Sequence, residues 1–505
     1  MTGPDATLLT PENAIDRDLA VIDIGSNTVR LVHFRLEGRA LWPIFNEKVT
    51  AGLGRGMGIT GRLHPDGVDT ALRALKRYAG LLDAKYVKER YAVATAAVRN
   101  AEDGEAFCAR VKAESGFDVR ILSGADEARI SAMGVVAGIP HAQGVAGDLG
   151  GSSLELTALL NGEVGEGETH ALGPLSIPEE IRADQSALRA HIDAALTSSQ
   201  ALKSPGDTFH AVGGAWRALA QLSIIASDHP LRVLHQYQLS RDEAEKVADL
   251  AARSSAASLS GVDGIASRRA EQLPYAGLLL KRIMDLGGYQ TVVFSSYGLR
   301  EGVVFEQLGD DLRATDPLLA GAEALARPAS PSPSFGRALA QWIEPVFAAS
   351  GEVFGERGPW LRAAAARLAD LGSRLHPDHK AELASQLVLY APFAGLTHSE
   401  RAFLALAIHH RYAGKRQPEA TGVFDRLLNE DQRVRAVAIG LALRLGAALS
   451  GRSEPLLGKF AIARDKAALV LNVPEAEREL MVERAQSRFE SLAQALGLEA
   501  ETRPA

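Results

Sequence analysis

Two apolar periods alternate along the first 310 residues of this chain. In LAVIDIGSNTVRLVHFRL (19–36), Val, Ile and Leu flank a GSNT turn, which is the pattern of a strand, a tight turn and a second strand. VDTALRALKRYAGLLDA (68–84) changes to helical spacing, and RYAVATAAV (90–98) reads as a short strand running into a loop. A helix at 102–115, a strand at 118–122 and a helix at 125–138 follow. Strands alternating with helices predict an α/β layered unit. The pattern then restarts: VAGDLGGSSLELTALLNGEV (145–164) is again strand, turn, strand. FHAVGGAWRALAQLSI (209–224) is a strand entering a Gly-Gly turn that opens a helix, and TVVFSSYGLREGVVFEQL (291–308) repeats strand, turn, helix. The repetition predicts two similarly built lobes, 15–138 and 139–310.

Beyond them, ALARPASPSPSFG (324–336) has the Pro/Ser/Ala content of a linker. Helical spacing without strand signal predicts an all-α domain over 337–415. From 416 to 500 an apolar run, KFAIARDKAALVLNVP, sits beside an amphipathic helix, which predicts a small α+β domain with a frayed tail, EAETRPA.

Composition narrows the class. At 505 residues the chain needs several cores, and 46% hydrophobic with 23% charged residues is the balance of a soluble globular protein. The single cysteine, Cys108, excludes an intrachain disulfide and makes the cytoplasm the default compartment. The first twenty residues lack a basic-then-apolar leader, and no apolar stretch reaches about 18 residues, so neither secretion nor a membrane span is expected. A net charge of −7 argues against bulk attraction to nucleic acid, so an anionic substrate must meet local basic residues.

The chemistry-bearing signals are turns. DIGSN (23–27) and DLGGSS (148–153) each follow a strand, each starts with an acid, and each offers backbone N–H groups with little side chain in the way. Either alone is a weak phosphate-binding signal; the pair, with a third turn at Gly213-Gly214, is a strong one. DIGSNTVRL, ATAAVRNA (94–101), SGADEAR (123–129), DLGGSSLEL and AVGGAW together resemble the exopolyphosphatase and guanosine pentaphosphate phosphatase family, a branch of the actin-like and sugar-kinase-like ATPase superfamily. The resemblance covers residues 18 to about 305 and implies two actin-like, ribonuclease H-like lobes. The helical extension resembles the long members, whose third domain is similar to HD-type phosphohydrolases.

Asp23 and Asp148 are then hard-oxygen ligands suited to Mg²⁺ or another divalent cation. Backbone N–H groups at Gly25, Ser26, Asn27, Gly150, Gly151, Ser152 and Ser153 are expected to hold phosphoryl oxygens, with Gly213 and Gly214 adding to them. Arg99 is read as a planar fork for the same oxygens. The family resemblance implies that Glu127 handles the proton of the attacking water; its plain reading is a helix N-terminal acid. Glu155, on the strand leaving the second turn, reaches the metal or the water, or else faces outward between Leu154 and Leu156. Whether K⁺ assists is left open.

Two features depart from the family pattern. Its second turn is usually Gly-Gly-Gly-Ser-Thr, whereas here Ser152 and Leu154 intrude. In the helical domain Ala369 stands before Asp370 where an HD pair needs His, which implies a degenerate, metal-free domain despite nearby His376, His379, His398, His409 and His410. Those histidines, with Lys and Arg nearby, are expected to pack or to bind polyanion. Cys108 and Trp216 are read as packed side chains, and Arg268-Arg269 and Lys415-Arg416 as solvated charge, although a long anionic polymer needs such residues along its path.

The expected activity is release of terminal orthophosphate from inorganic polyphosphate. The alternative within the same chemistry is the 5′-γ-phosphate of guanosine pentaphosphate (pppGpp), with ppGpp as a further ligand. A sugar kinase or a noncatalytic (p)ppGpp sensor are the readings from other classes. The resemblance to long family members implies a homodimer.

Overall fold

The computed structural model describes residues 16–332, 334–348, 351–419 and 421–504; the first fifteen residues, read above for a leader, and residue 333 of the expected linker lie outside that set. Contacts divide the described residues into two compact units, one formed by 16–37 with Leu41–Arg313 and one beginning at Ala314.

The first unit holds two sheets. Strands β1 (Asp16–Ile24), β2 (Thr28–Glu37), β3 (Ala40–Thr50), β4 (Glu89–Ala94) and β5 (Val119–Ile121) make the first, in the order β3-β2-β1-β4-β5. Strands β6 (Gly144–Leu149), β7 (Leu154–Leu160), β8 (Glu163–His170), β9 (Thr208–Gly213), β10 (Tyr237–Ser240) and β11 (Thr291–Phe294) make the second, in the order β10-β11-β9-β6-β7-β8. In both, the central strand pairs antiparallel with the strand after its turn and parallel with the strand on its other side: β1 with β2 and β4, β6 with β7 and β9. The doubling read from the sequence is therefore a doubling of topology.

The continuous apolar run of β1 follows from burial on both faces. Ala20 and Ile22 join a core with helix α1 (Pro65–Ala84), while Leu19 and Val21 join one with helices α3 (Gly124–Gly138) and α6 (Leu299–Glu306). Helix α2 (Gly104–Ser115) completes the first lobe; α4 (Gly214–Ala226) and α5 (Leu273–Gly287) cover the second sheet. The α3–α6 pair crosses at glycines. A Cβ on Gly134 would lie 2.0 Å from the Gly298 carbonyl oxygen, and one on Gly302 would lie 1.8 Å from that of Ile130.

Three local expectations are corrected. The loop expected after β4 is a helical turn, Ala96–Asn100, because Ala96, Ala97 and Val98 bury. Helix α7 (Pro317–Ala326) runs into the expected linker, and Ala324 and Ala326 are buried; small alanines pack where composition suggested none would. The expected frayed tail is strand β14 (Glu499–Pro504), parallel to β13 (Ala468–Val473), which pairs in turn with β12 (Ala461–Asp465). Its residues stay mostly exposed, so the ladder orders it without a hydrophobic signature.

In the second unit, α8 (Phe335–Phe347), α9 (Gly358–Arg367), α10 (Lys380–Tyr390) and α11 (His398–Ala413) form the expected helical stretch. Helix α12 (Glu430–Ser450) packs along α11 and against α13 (Glu483–Ala495), and Trp342 Nε1 donates to the Phe460 carbonyl at 2.9 Å. Helices and small sheet thus share one unit. Asp370 is buried, accepts from Ser330 Oγ at 3.1 Å, and faces Arg452 at 3.7 Å and Arg411 at 3.9 Å. Among the described residues no helix is long and apolar enough to cross a membrane.

Candidate active site

Each central strand ends in the same closed turn. Gly25 N–H donates to Thr28 O and Gly150 N–H donates to Ser153 O, both at 3.0 Å, so these two N–H groups, expected to hold phosphate, close the turns instead, and Ser26, Asn27, Gly151, Ser152 and Ser153 are left to line the cleft. Strand register adds the acids: Asp23 stands opposite Arg30, and Asp148 opposite Glu155. The third turn is fixed by backbone conformation. Gly213 has φ 108° and ψ 165°, a region that only glycine occupies comfortably, and a Cβ there would lie 2.4 Å from the Leu149 carbonyl oxygen.

The two Asp-x-Gly turns, Gly213-Gly214, Glu127 and Glu155 all line this one cleft. Glu155 is 3% exposed and takes a hydrogen bond from Thr169 Oγ1 at 3.1 Å, which decides against the outward-facing reading. Arg99 sits elsewhere. Its Nη1 donates to Glu127 Oε2 at 2.8 Å and to the Leu122 carbonyl at 2.9 Å, so the guanidinium read as a phosphate fork stands behind the carboxylate instead.

Sequence reading missed the cations of the cleft: Arg30, Lys48, Arg217, Arg269 and Arg300 line it with the four acids. Arg30 is the cross-strand partner of Asp23, while Arg217 and Arg300 fall in the first turn of helices that open from glycine turns. Those positions were the available signal. Arg269, read as solvated charge, belongs to the cleft: its guanidinium is 3.4 Å from where a Cβ on Gly214 would be. Burial pushes Arg30 and Arg217 down to about 10, and neighbouring arginines, Arg300 first in both cases, push the same way.

The acids are strained in the opposite sense. Burial raises Asp23, against the pull of Arg300, whose Nη1 lies 3.4 Å from Asp23 Oδ2. Burial also raises Asp148, although Ser131 Oγ donates to it at 2.5 Å. Glu127 is pushed up to about 7 by burial, then by Asp148 and Asp23, with Arg99 pulling down. Glu155 lies well above the carboxylate range, through burial and then the charge of Glu127. A cation between Asp23 and Asp148 would relieve this. The donor set suits an ion held by two carboxylates and otherwise by water and phosphate, the habit of Mg²⁺. The expected third ligand does not join them: among the described residues no three acidic, His or Cys groups close into a direct coordination cluster, and Glu155 is held by Thr169.

Other expectations stand as packing. Trp216 is fully buried, donates to the Ala276 carbonyl at 3.1 Å and meets Phe209 edge-on. Burial raises the Cys108 thiol in α2. His409 and His410 are buried against the carbonyls of Arg416 and Gly414.

Two lobes of duplicated topology facing across a phosphate-cradling cleft define the actin-like two-lobed class. Within it, residues 33–311 match the Ppx/GppA phosphatase family and residues 318–502 match the exopolyphosphatase C-terminal family, and the chain belongs to the Ppx/GppA phosphatase family. It is similar to Exopolyphosphatase 1 of Mycobacterium tuberculosis, 27% identical over 311 residues, covering 59% of this chain and 90% of the relative. It is also similar to Retrograde regulation protein 2 of Saccharomyces cerevisiae, 26% identical over 455 residues, covering 80% and 74%. Among solved structures, the Aquifex aeolicus Ppx/GppA family member superposes with a TM-score of 0.52 at 25% identity, covering 58% of this chain and 98% of that one.

Proposed function

We propose that the cleft removes terminal orthophosphate from inorganic polyphosphate. The observation that carries this reading is the lining itself: three N–H-rich turns and five cations, with no aromatic ring among the described residues to stack a base. That favours a ligand made of phosphate alone over pppGpp. The name of the mycobacterial relative points the same way.

In this reading the turn N–H groups and the arginines hold the terminal phosphoryl oxygens and steady the charge that shifts as the bond breaks. Asp23 and Asp148 would hold a divalent ion, whose charge would offset the negative charge of the substrate. Glu127, near 7, takes a proton from the attacking water, and Arg99 fixes the direction of its carboxylate. Burial and then the charge of Glu127 favour the neutral form of Glu155 beside it. The second unit is proposed as an HD-like domain whose Asp370 faces Arg411 and Arg452 rather than a metal. The whole is proposed as a cytoplasmic homodimer.

Phosphate release from long-chain polyphosphate and from pppGpp, measured side by side with Mg²⁺, tests the reading. Faster release per unit enzyme from polyphosphate is expected, and a strong preference for pppGpp would contradict it.

A further inference from the structure

The second unit carries a pocket unrelated to the Asp-x-Gly turns. Helix α13 places Arg484, Ser487, Arg488 and Ser491 at i, i+3, i+4 and i+7, one stripe of a helix, facing Arg444 of α12 and Lys415 after α11. No Asp or Glu lines this pocket. Most arginines here pair with acids, as in Arg35–Asp18, Arg77–Glu47 and Arg503–Asp465, and the chain as a whole carries −7. No ion pair joins Arg444, Arg484 or Arg488 to a carboxylate among the described residues. Arg444 is tied to the carbonyls of Arg411 and Tyr412 at the end of α11, which fixes its guanidinium from behind. Arg488 is held down to about 10 by burial and then by Arg444, Arg484 and Arg411.

Arg444 and Arg488 are partly buried while Arg484 and Lys415 stand exposed at the rim, and gathering these like charges disfavours the fold unless an anion compensates. Guanidinium forks and two serine hydroxyls match phosphoryl oxygens. The lining offers no aromatic face for a nucleobase. We propose that the pocket formed by Arg444, Arg484, Arg488, Lys415, Ser487 and Ser491 is a second anion site, binding phosphoryl oxyanions that carry at least two negative charges. The oxyanion is either a free small phosphate or a stretch of a longer condensed chain. The proposal does not rest on the function assigned to the cleft.

The test uses the full chain carrying Glu127→Gln, with the added phosphate checked for intactness at the end of each labelling, and reads amide hydrogen exchange peptide by peptide. Pyrophosphate and long-chain polyphosphate are added separately, with chloride at matched ionic strength and citrate as controls. Slowed exchange across 413–415 and 484–491 is expected, with the half-saturating concentration raised about tenfold or more by adding Arg484→Gln and Arg488→Gln. Protection at 148–153 should persist in that variant, which separates this pocket from the cleft. Protection by pyrophosphate identifies a free-anion site, and protection by the long chain alone identifies a chain subsite; either supports the proposal. No protection by either phosphate, equal protection by chloride or citrate, or unchanged protection in the variant would overturn it.

Discussion

Glu127 and Arg99 carry the sharpest consequences at the residue scale. Glu127→Gln should lower kcat about 10²–10⁴-fold while leaving KM nearly unchanged, as steady-state phosphate release will measure. Because the free carboxyl lies near 7, log kcat/KM should rise with pH through an ascending limb centred there. Arg99 pulls that value down, so Arg99→Gln should move the limb to higher pH. The same shift affects stability. A carboxyl raised on folding contributes stability that is full below about 4.5 and is lost as pH rises through about 7, so Glu127→Gln should flatten this part of the thermal-melt profile of the metal-free enzyme. Asp23, Asp148 and Glu155 were legible in the sequence because each opens or follows a turn, whereas Glu127 was legible only through the family resemblance, since by itself it reads as a helix N-terminal acid. Arg99 was legible as a participant but not in its orientation, since nothing in ATAAVRNA says that the guanidinium faces Glu127. The cations were missed because Arg30, Arg217, Arg269 and Arg300 come from four separate segments that only the fold brings together.

Glycines discriminate at the scale of elements. Gly134 sits where α3 crosses α6, whereas Gly80 in α1 has open space within 4 Å. Gly134→Ala should destabilise by about 1–3 kcal/mol through overpacking. Gly80→Ala should stabilise by about 0.5–1 kcal/mol by restricting the unfolded chain. Urea midpoints compare the two. Hydrophobic period exposed the hairpins, the strand–turn–helix units and the helical stretch after Phe335. It failed where order comes from something else: from alanine packing at the end of α7, and from a backbone ladder in β14, whose side chains remain mostly exposed.

Across the whole molecule, a chain of net charge −7 nevertheless gathers five cations, beside four acids, in one cleft. KM for polyphosphate should therefore climb as salt rises from low to physiological ionic strength, where the screening length falls to about 8 Å. Chelation with EDTA should abolish turnover and added Mg²⁺ restore it, if the charge of Asp23 and Asp148 is offset as proposed. The two similar lobes were visible in the sequence as a repeated strand–turn–strand pattern, though not their sheet order, and the sharing of one unit by the C-terminal helices and small sheet was not visible, because the packing of α12 on α11 leaves no mark on local composition. Whether this cleft hydrolyses polyphosphate through Glu127 is decided by orthophosphate release from long-chain polyphosphate and from pppGpp, by the wild-type chain and by Glu127→Gln. Release should be faster from polyphosphate and lost on substitution; undiminished release by Glu127→Gln, or a strong preference for pppGpp, would rule out this role for the cleft.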